Sequence, residues 1–195
     1  MVRLTIDGKV VEAKKGTSIL HAAESVGIKI PTLCYIKDLL PDGSCRMCMV
    51  EIENRGRTKM ETACTAQVAE GLVVTTNSEK VRNARRNILD MLLSNHKTDC
   101  FSCPSNGDCK LQELCFEYGI ERTTYSGEQT ELPIDDSNKF FTYNPNLCIL
   151  CHRCVNTCHK IVGRGAIDTM ERGFDSAIGT PFHIDWADTN CESCG

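Results

Sequence analysis

The chain has 195 residues, a net charge of −4 and 14 cysteines, a cysteine content far above ordinary usage. The acidic balance speaks against a nucleic-acid partner, and no apolar run is long enough to span a bilayer. The opening MVRLTIDGKVVEAKK has neither the apolar stretch nor the small-residue cleavage site of a signal peptide.

In chain order, VRLTID alternates apolar and polar residues, Asp7-Gly8 is a two-residue hairpin turn, and KVVEA returns as a second strand. TSILHAAESVG predicts a helix capped by Thr17 or Ser18, with Ile19, Ala22, Ala23 and Val26 on one apolar face and Gly27 at its end. A cysteine-bearing loop follows, then strands MVEIE and LVVTT. VRNARRNILDMLLSN carries Val81, Ala84, Ile88, Met91 and Leu92 at helical spacing. Its basic stretch, Lys80 to Arg86, reads as a solvated helix face rather than a docking patch. LQELCFEYG predicts a short helix closed by Gly119, and the polar residues 121–138 read as a linker or surface loop. AIDTMERGFDSAIG predicts a strand pair turning at Arg172-Gly173. The GRG at 163–165 lacks the third glycine and the strand–helix setting of a dinucleotide fingerprint.

The cysteines fall in tight C-x2-C pairs, too close for ordinary bridges but right for chelation. Metal sites in the reducing cytoplasm are therefore expected, not a secreted disulfide scaffold. The length could hold one average domain, but aromatics make up only 6% and the apolar positions are scattered among cysteine loops. Several small modules organised by metal fit better, because small units bury too little apolar surface to fold alone.

Cys34, Cys45, Cys48 and Cys64 form a C-x10-C-x2-C-x15-C group, three thiols on one loop and the fourth distant. A loop that wraps a planar [2Fe-2S] cluster and is clamped from the far side needs that arrangement. Gly43 lets backbone approach the sulfides. Four cysteines would also satisfy a tetrahedral zinc, but zinc sites usually show two C-x2-C knuckles and only one is present here. The second group is His96, Cys100, Cys103 and Cys109, with Cys115 close behind; spacing alone leaves His96 and Cys115 both open as the fourth ligand. The third is Cys148, Cys151, Cys154 and Cys158, a C-x2-C-x2-C-x3-C run and the most specific signal in the chain. In ferredoxins with two clusters the fourth cysteine of that run ligates the other cluster. His159 stands where a proline normally follows, and His152 and His159 read as spectators. Cys191 and Cys194, in TNCESCG, read as the start of a partner run that shares a cluster with Cys158. Each of these two clusters then lacks one ligand within the chain, and a third cysteine is expected just beyond Gly195.

The order of these groups, with GSCRMCMVEIE, SNHKTDCFSCPSNGDCKLQE and NLCILCHRC, resembles one known arrangement over essentially the whole chain. It is the iron–sulfur arm shared by NAD(P)-linked formate dehydrogenase α subunits, multi-cluster [FeFe]-hydrogenases and the large iron–sulfur subunit of complex I. The resemblance implies an α+β chain of three modules. Residues 1–78 would be a β-grasp [2Fe-2S] ferredoxin domain, and residues 79–120 a small helical domain holding a [4Fe-4S] cluster by His96 and three cysteines. After the linker 121–138, residues 139–195 would be an incomplete ferredoxin-like domain for up to two further [4Fe-4S] clusters. It also leaves Cys115 spare, as a small buried apolar residue. Retention of Cys158, Cys191 and Cys194 favours the dehydrogenase and hydrogenase types over complex I.

The function expected is an electron conduit between a flavin-containing NAD(P)H-oxidising partner and a catalytic subunit or domain, with no acid, base or nucleophile of its own. The alternatives are that the chain is part of the catalytic polypeptide itself, or, in a different class, a structural multi-zinc protein.

Overall fold

The computed structural model describes residues 1–194; Gly195, the expected limit of the last module, lies outside the described residues. Strands β1 (Val2–Ile6) and β2 (Lys9–Ala13) pair antiparallel around Asp7 and Gly8. Both turn residues have positive φ, 47° and 79°, as a tight two-residue hairpin requires. Alternation puts Leu4, Ile6, Val11 and Ala13 inside. Helix α1 (Ile19–Glu24) starts at Ser18, whose hydroxyl accepts from the His21 amide at 3.3 Å. It buries Leu20 in addition to the expected Ile19, Ala22 and Ala23, while Val26 is only partly buried.

Strands β3 (Met49–Asn54), β4 (Arg57–Thr62) and β5 (Val73–Thr75) complete a five-stranded sheet in the order β2-β1-β5-β3-β4. Only β1 and β5 run parallel. Strand β4 was not expected from the sequence, because RTKMET has a single apolar residue and half of it is charged. Its signal is the turn: Arg55 and Gly56 both have positive φ, 50° and 75°, so the chain folds straight back on β3. The α1 face closes over Leu4, Ile6, Val50, Ile52 and Val74 to form the first core.

Helix α2 (Glu79–Ser94) begins two residues before the expected start, capped by Ser78, which accepts from the Val81 amide at 3.2 Å. Its buried stripe is Val81, Arg85, Leu89 and Leu93. The expected face is thus corrected by about one residue: Ala84, Ile88 and Leu92 flank the stripe and Met91 is exposed. The cause is Arg85, a cation inside the apolar row, which hydrophobic periodicity passes over. It is 3% exposed and donates to the Met49 carbonyl at 2.7 Å and the Tyr118 hydroxyl at 3.0 Å. The basic stretch is an exposed face as expected, apart from buried Arg85, and its exposed cations also find partners. Lys80 pairs with Glu51, Arg82 lies over the Tyr118 ring, and Arg86 donates to the Tyr118 carbonyl. These contacts tie α2 to β3 and to α3 (Lys110–Glu117), which closes at Gly119 with φ 66°.

Residues 121–138 contain no helix or strand, yet they are strapped down. Asp90 accepts from Thr123 and Thr124, Asn95 from the Thr130 amide, and Asn146 from the Leu132 amide. Beyond them α4 (Arg153–Asn156) runs into a π-helical turn, Thr157–Val162. The expected strand pair is β6 (Asp168–Met170) and β7 (Ala177–Gly179), but it is joined by residues 171–176 with a 3-10 turn at Gly173–Asp175 rather than by a tight turn at Arg172-Gly173. A third small core joins Ile167, Ile178 and Trp186, with Phe141 and Tyr143 against the indole at 5.1 and 4.9 Å.

Candidate metal centres

The first four cysteines are all buried and come together as two pairs. Cys34 and Cys45 are joined by the Cys34 amide, which donates to Cys45 Sγ at 3.4 Å. Cys48 and Cys64 have their sulfurs 3.3 Å apart, too far for a disulfide of about 2.05 Å. The pairs face different cores: Cys48 and Cys64 belong to the sheet core, Cys34 and Cys45 to a second apolar cluster against α2 and α3. Like charges this close oppose one another, so ionisation of one thiol in each pair disfavours ionisation of the other. The contact with Cys45 lowers the Cys34 thiol, and that with Cys64 lowers Cys48. Cys45 and Cys64 are pushed well up, first by that same contact and then by burial. Two buried thiol pairs, one thiol in each made more acidic by its neighbour, suit two irons bridged by sulfide.

The second group surrounds the end of α2 and the start of α3. His96 follows α2, and its ring is half-buried, with Nδ1 lacking any hydrogen-bond partner among the described residues. Burial lowers its pKa, which keeps the imidazole neutral and able to donate a lone pair. Cys100, Cys103 and Cys109 lie on the loop between the helices and are partly exposed. Cys115 on α3 is 8% exposed, and its thiol is pushed up to about 11 by burial and by the charges of Cys109 and Cys100. An orphaned, neutral imidazole fits a missing electrophile; a protonated, packed thiol fits a core residue.

The third group is shaped by backbone held in the left-handed region. Leu150 (φ 51°) sits inside Cys148–Cys151, His152 (φ 60°) inside Cys151–Cys154, and Ser193 (φ 51°) inside Cys191–Cys194. Arg46 (φ 58°) does the same between Cys45 and Cys48. Such conformations cost about 1 kcal/mol or more each in a residue with a side chain, and they cluster where a site demands them. Here they turn amides onto sulfur: Leu150 N–H donates to Cys148 Sγ at 3.3 Å and Ser193 N–H to Cys191 Sγ at 3.4 Å. The Ala166 amide reaches Cys158 Sγ at 3.2 Å. Burial raises Cys148 and Cys154, and the charges of neighbouring thiols in the run raise them further. Cys148, Cys158 and Cys191 all border the Trp186 core, so the distant TNCESCG segment does meet the cysteine run. His159 spends its ring on the Ile167 carbonyl, 2.9 Å from Nε2. Sequence reasoning missed the sulfur-directed amides, the Trp186 cluster and Asp42, whose carboxylate crosses to Asn156 and Lys160. The left-handed knuckle residues carry no compositional mark. Among the described residues no three His, Cys, Asp or Glu donors converge as they would on a single metal ion.

Residues 1–79 match the family described as a 2Fe-2S iron-sulfur cluster binding domain, and residues 85–124 the NADH-ubiquinone oxidoreductase-G iron-sulfur binding region. The chain is 43% identical over its full length to the NADPH-Fe(3+) oxidoreductase subunit alpha of Geobacter sulfurreducens, covering 22% of that protein. It is 38% identical to the NADP-reducing hydrogenase subunit HndD of Solidesulfovibrio fructosivorans, again over all of this chain but 34% of that one. The chain thus spans between a fifth and about a third of these curated relatives. A crystal structure of NAD+-reducing [NiFe]-hydrogenase in the H2-reduced state contains a chain that superposes with a TM-score of 0.89 at 30% identity, over 97% of this chain and 80% of that one. The fold and the cysteine groups therefore define an iron–sulfur electron-transfer module. The chain belongs to the iron–sulfur arm family shared by NAD(P)-linked hydrogenases and the large iron–sulfur subunit of complex I.

Proposed function

We propose that the chain is an electron conduit in a multisubunit oxidoreductase. It stands between a flavin-containing NAD(P)H-oxidising partner and a catalytic centre of formate dehydrogenase or [FeFe]-hydrogenase type. The first module is read as a β-grasp ferredoxin domain, supported by its sheet order and the helix packed across it. Cys34, Cys45, Cys48 and Cys64 hold its [2Fe-2S] cluster, and His96, Cys100, Cys103 and Cys109 hold a [4Fe-4S] cluster. Cys148, Cys151 and Cys154 supply three ligands to another, and Cys158, Cys191 and Cys194 three to the last, each completed by a ligand from outside these residues. When bound, the clusters supply reversible one-electron chemistry. The protein's own part is to hold the thiolates, aim amides at sulfur and exclude water.

The observation that carries this reading is the apolar cluster built on α2 and α3. Leu33, Met47, Leu89, Leu93, Leu111 and Leu114 form it, and cysteines of all three groups border it: Cys34 and Cys45, Cys109 and Cys115, and Cys151. A relay needs its centres close together in a dry, rigid matrix, whereas a structural zinc protein has no reason to gather its sites around one core. Free cysteines throughout the described residues support a reducing, cytoplasmic setting. A second reading, in which the chain is one part of the catalytic polypeptide itself, is supported by the greater length of the relatives.

The test is the visible and EPR spectrum of anaerobically purified chain. Brown colour that bleaches with dithionite, with separate two-iron and four-iron signals, is expected. A colourless protein that contains zinc sinks the proposal. The flavin-free chain is further expected not to oxidise NADH or NADPH with an artificial acceptor; turnover there would rule out a pure relay.

A further inference from the structure

We propose that Asp42 is a positioning residue that latches the loop bearing the first cysteine group onto the helix bearing Cys154 and Cys158, and so fixes the geometry between those two centres. The inference rests on the conduit reading for its purpose, though not for its existence.

One carboxylate joins two modules across more than a hundred residues of sequence. Asn156 Nδ2 donates to Asp42 Oδ2, and Lys160 Nζ to Oδ1 at 3.4 Å. Asp42 lies three residues before Cys45, while Asn156 and Lys160 each lie two residues from Cys158, on either side of it. Residues four apart share a helix face, so the two donors reach the carboxylate together. Two donors on separate oxygens fix orientation as well as distance, which a single contact does not. The loop that presents Asp42 is itself constrained. Pro41 precedes it, and Gly43 adopts φ 66° with so little room that a Cβ would lie 3.2 Å from the Thr65 methyl, beside Cys64. The carboxyl sits below its ordinary value, chiefly through the Asn156 bond.

The apolar contact of Ile149 and Cys151 with the cluster containing Cys34 and Cys45 brings the same two modules together, but such burial is non-directional. The polar latch selects one register within it.

The experiment uses the full chain loaded with iron and sulfide, as wild type, Asp42→Lys, the swap Asp42→Lys/Lys160→Asp, and Asn156→Ala/Lys160→Ala. Amide exchange over residues 153–162 and the magnetic interaction between reduced first-module and third-module centres are measured. Asp42 and Lys160 are partly exposed, so Asp42→Lys should speed exchange there by about two- to fivefold and weaken the interaction, with iron content unchanged. The charge swap should move both back toward wild type. Unchanged exchange and interaction in Asp42→Lys would overturn the proposal, as would a swap that recovers neither. If Asp42→Lys loses iron from the first module, Asn156→Ala/Lys160→Ala, which leaves that loop intact, decides on the same two measurements. Iron and sulfide analysis of the wild type tests the conduit reading separately, and amide exchange reports the latch whichever way that analysis falls.

Discussion

His96 is the residue on which the proposed second centre turns. Its Nδ1 is buried and unpartnered among the described residues, whereas Cys115, the competing candidate, is packed and protonated. A neutral imidazole in place of a thiolate leaves the site one negative charge lighter and raises its potential. His96→Cys is expected to keep a four-iron signal at a lower potential in an EPR-monitored redox titration. Cys115→Ala should retain that signal, and His96→Ala should lose it; the opposite pattern would reverse the assignment. The same burial has a pH consequence. The folded pKa of His96 lies below its ordinary 6.5, so as pH falls past that value the unfolded chain takes up a proton that the native site refuses. His96 therefore costs no stability above pH 6.5 and costs progressively more below it, until the folded group also titrates. For the metal-free chain, urea midpoints between about pH 8 and about pH 5 should fall more steeply for wild type than for His96→Gln.

At the scale of elements, α2 organises the middle of the molecule, and its cation matters more than its apolar residues suggest. Arg85→Ala leaves the Met49 carbonyl and the Tyr118 hydroxyl without their buried donor and removes the packed stem. A loss of about 2–4 kcal/mol is expected from denaturant midpoints, given that each orphaned buried group costs about 1–3 kcal/mol. Arg85→Met, which keeps the stem, should recover part of it. Ser78→Ala removes the cap of the same helix and should cost about 1 kcal/mol. The strand pair β3–β4 shows how an element can hide. Its outer strand has no apolar alternation, and only the Asn54-Arg55-Gly56-Arg57 turn marks the return.

For the whole molecule, the first module has its own core, while its cysteines straddle two. Residues 1–79 alone should fold on addition of iron and sulfide and give a two-iron EPR signal when reduced, because metal binding adds to folding free energy. Cys64→Ser should cut that signal sharply, since it breaks the Cys48 pair; an unchanged signal and iron content would show that Cys64 is the wrong ligand. Cys34 and Cys45 face outward from the sheet core toward α2 and α3, so the isolated module should hold its cluster less tightly than the full chain does. Loss of iron to a chelator, followed by absorbance, should be faster from the fragment.

The sequence by itself determined the cysteine groups and their order, because ligand spacing is a local property and repeated C-x2-C loops point to chelation. It also determined the first hairpin, α1, α3 and the last strand pair, where turn glycines, caps and apolar alternation agree. Only the tertiary structure decided which thiols pair, that His96 is orphaned while Cys115 is packed, and that 121–138 is a strap. Only it placed Arg85 inside a core and joined Asp42 to Lys160. These are long-range facts. A buried charge, an amide aimed at sulfur and a carboxylate between modules each depend on a partner tens of residues away, and no local pattern records that partner.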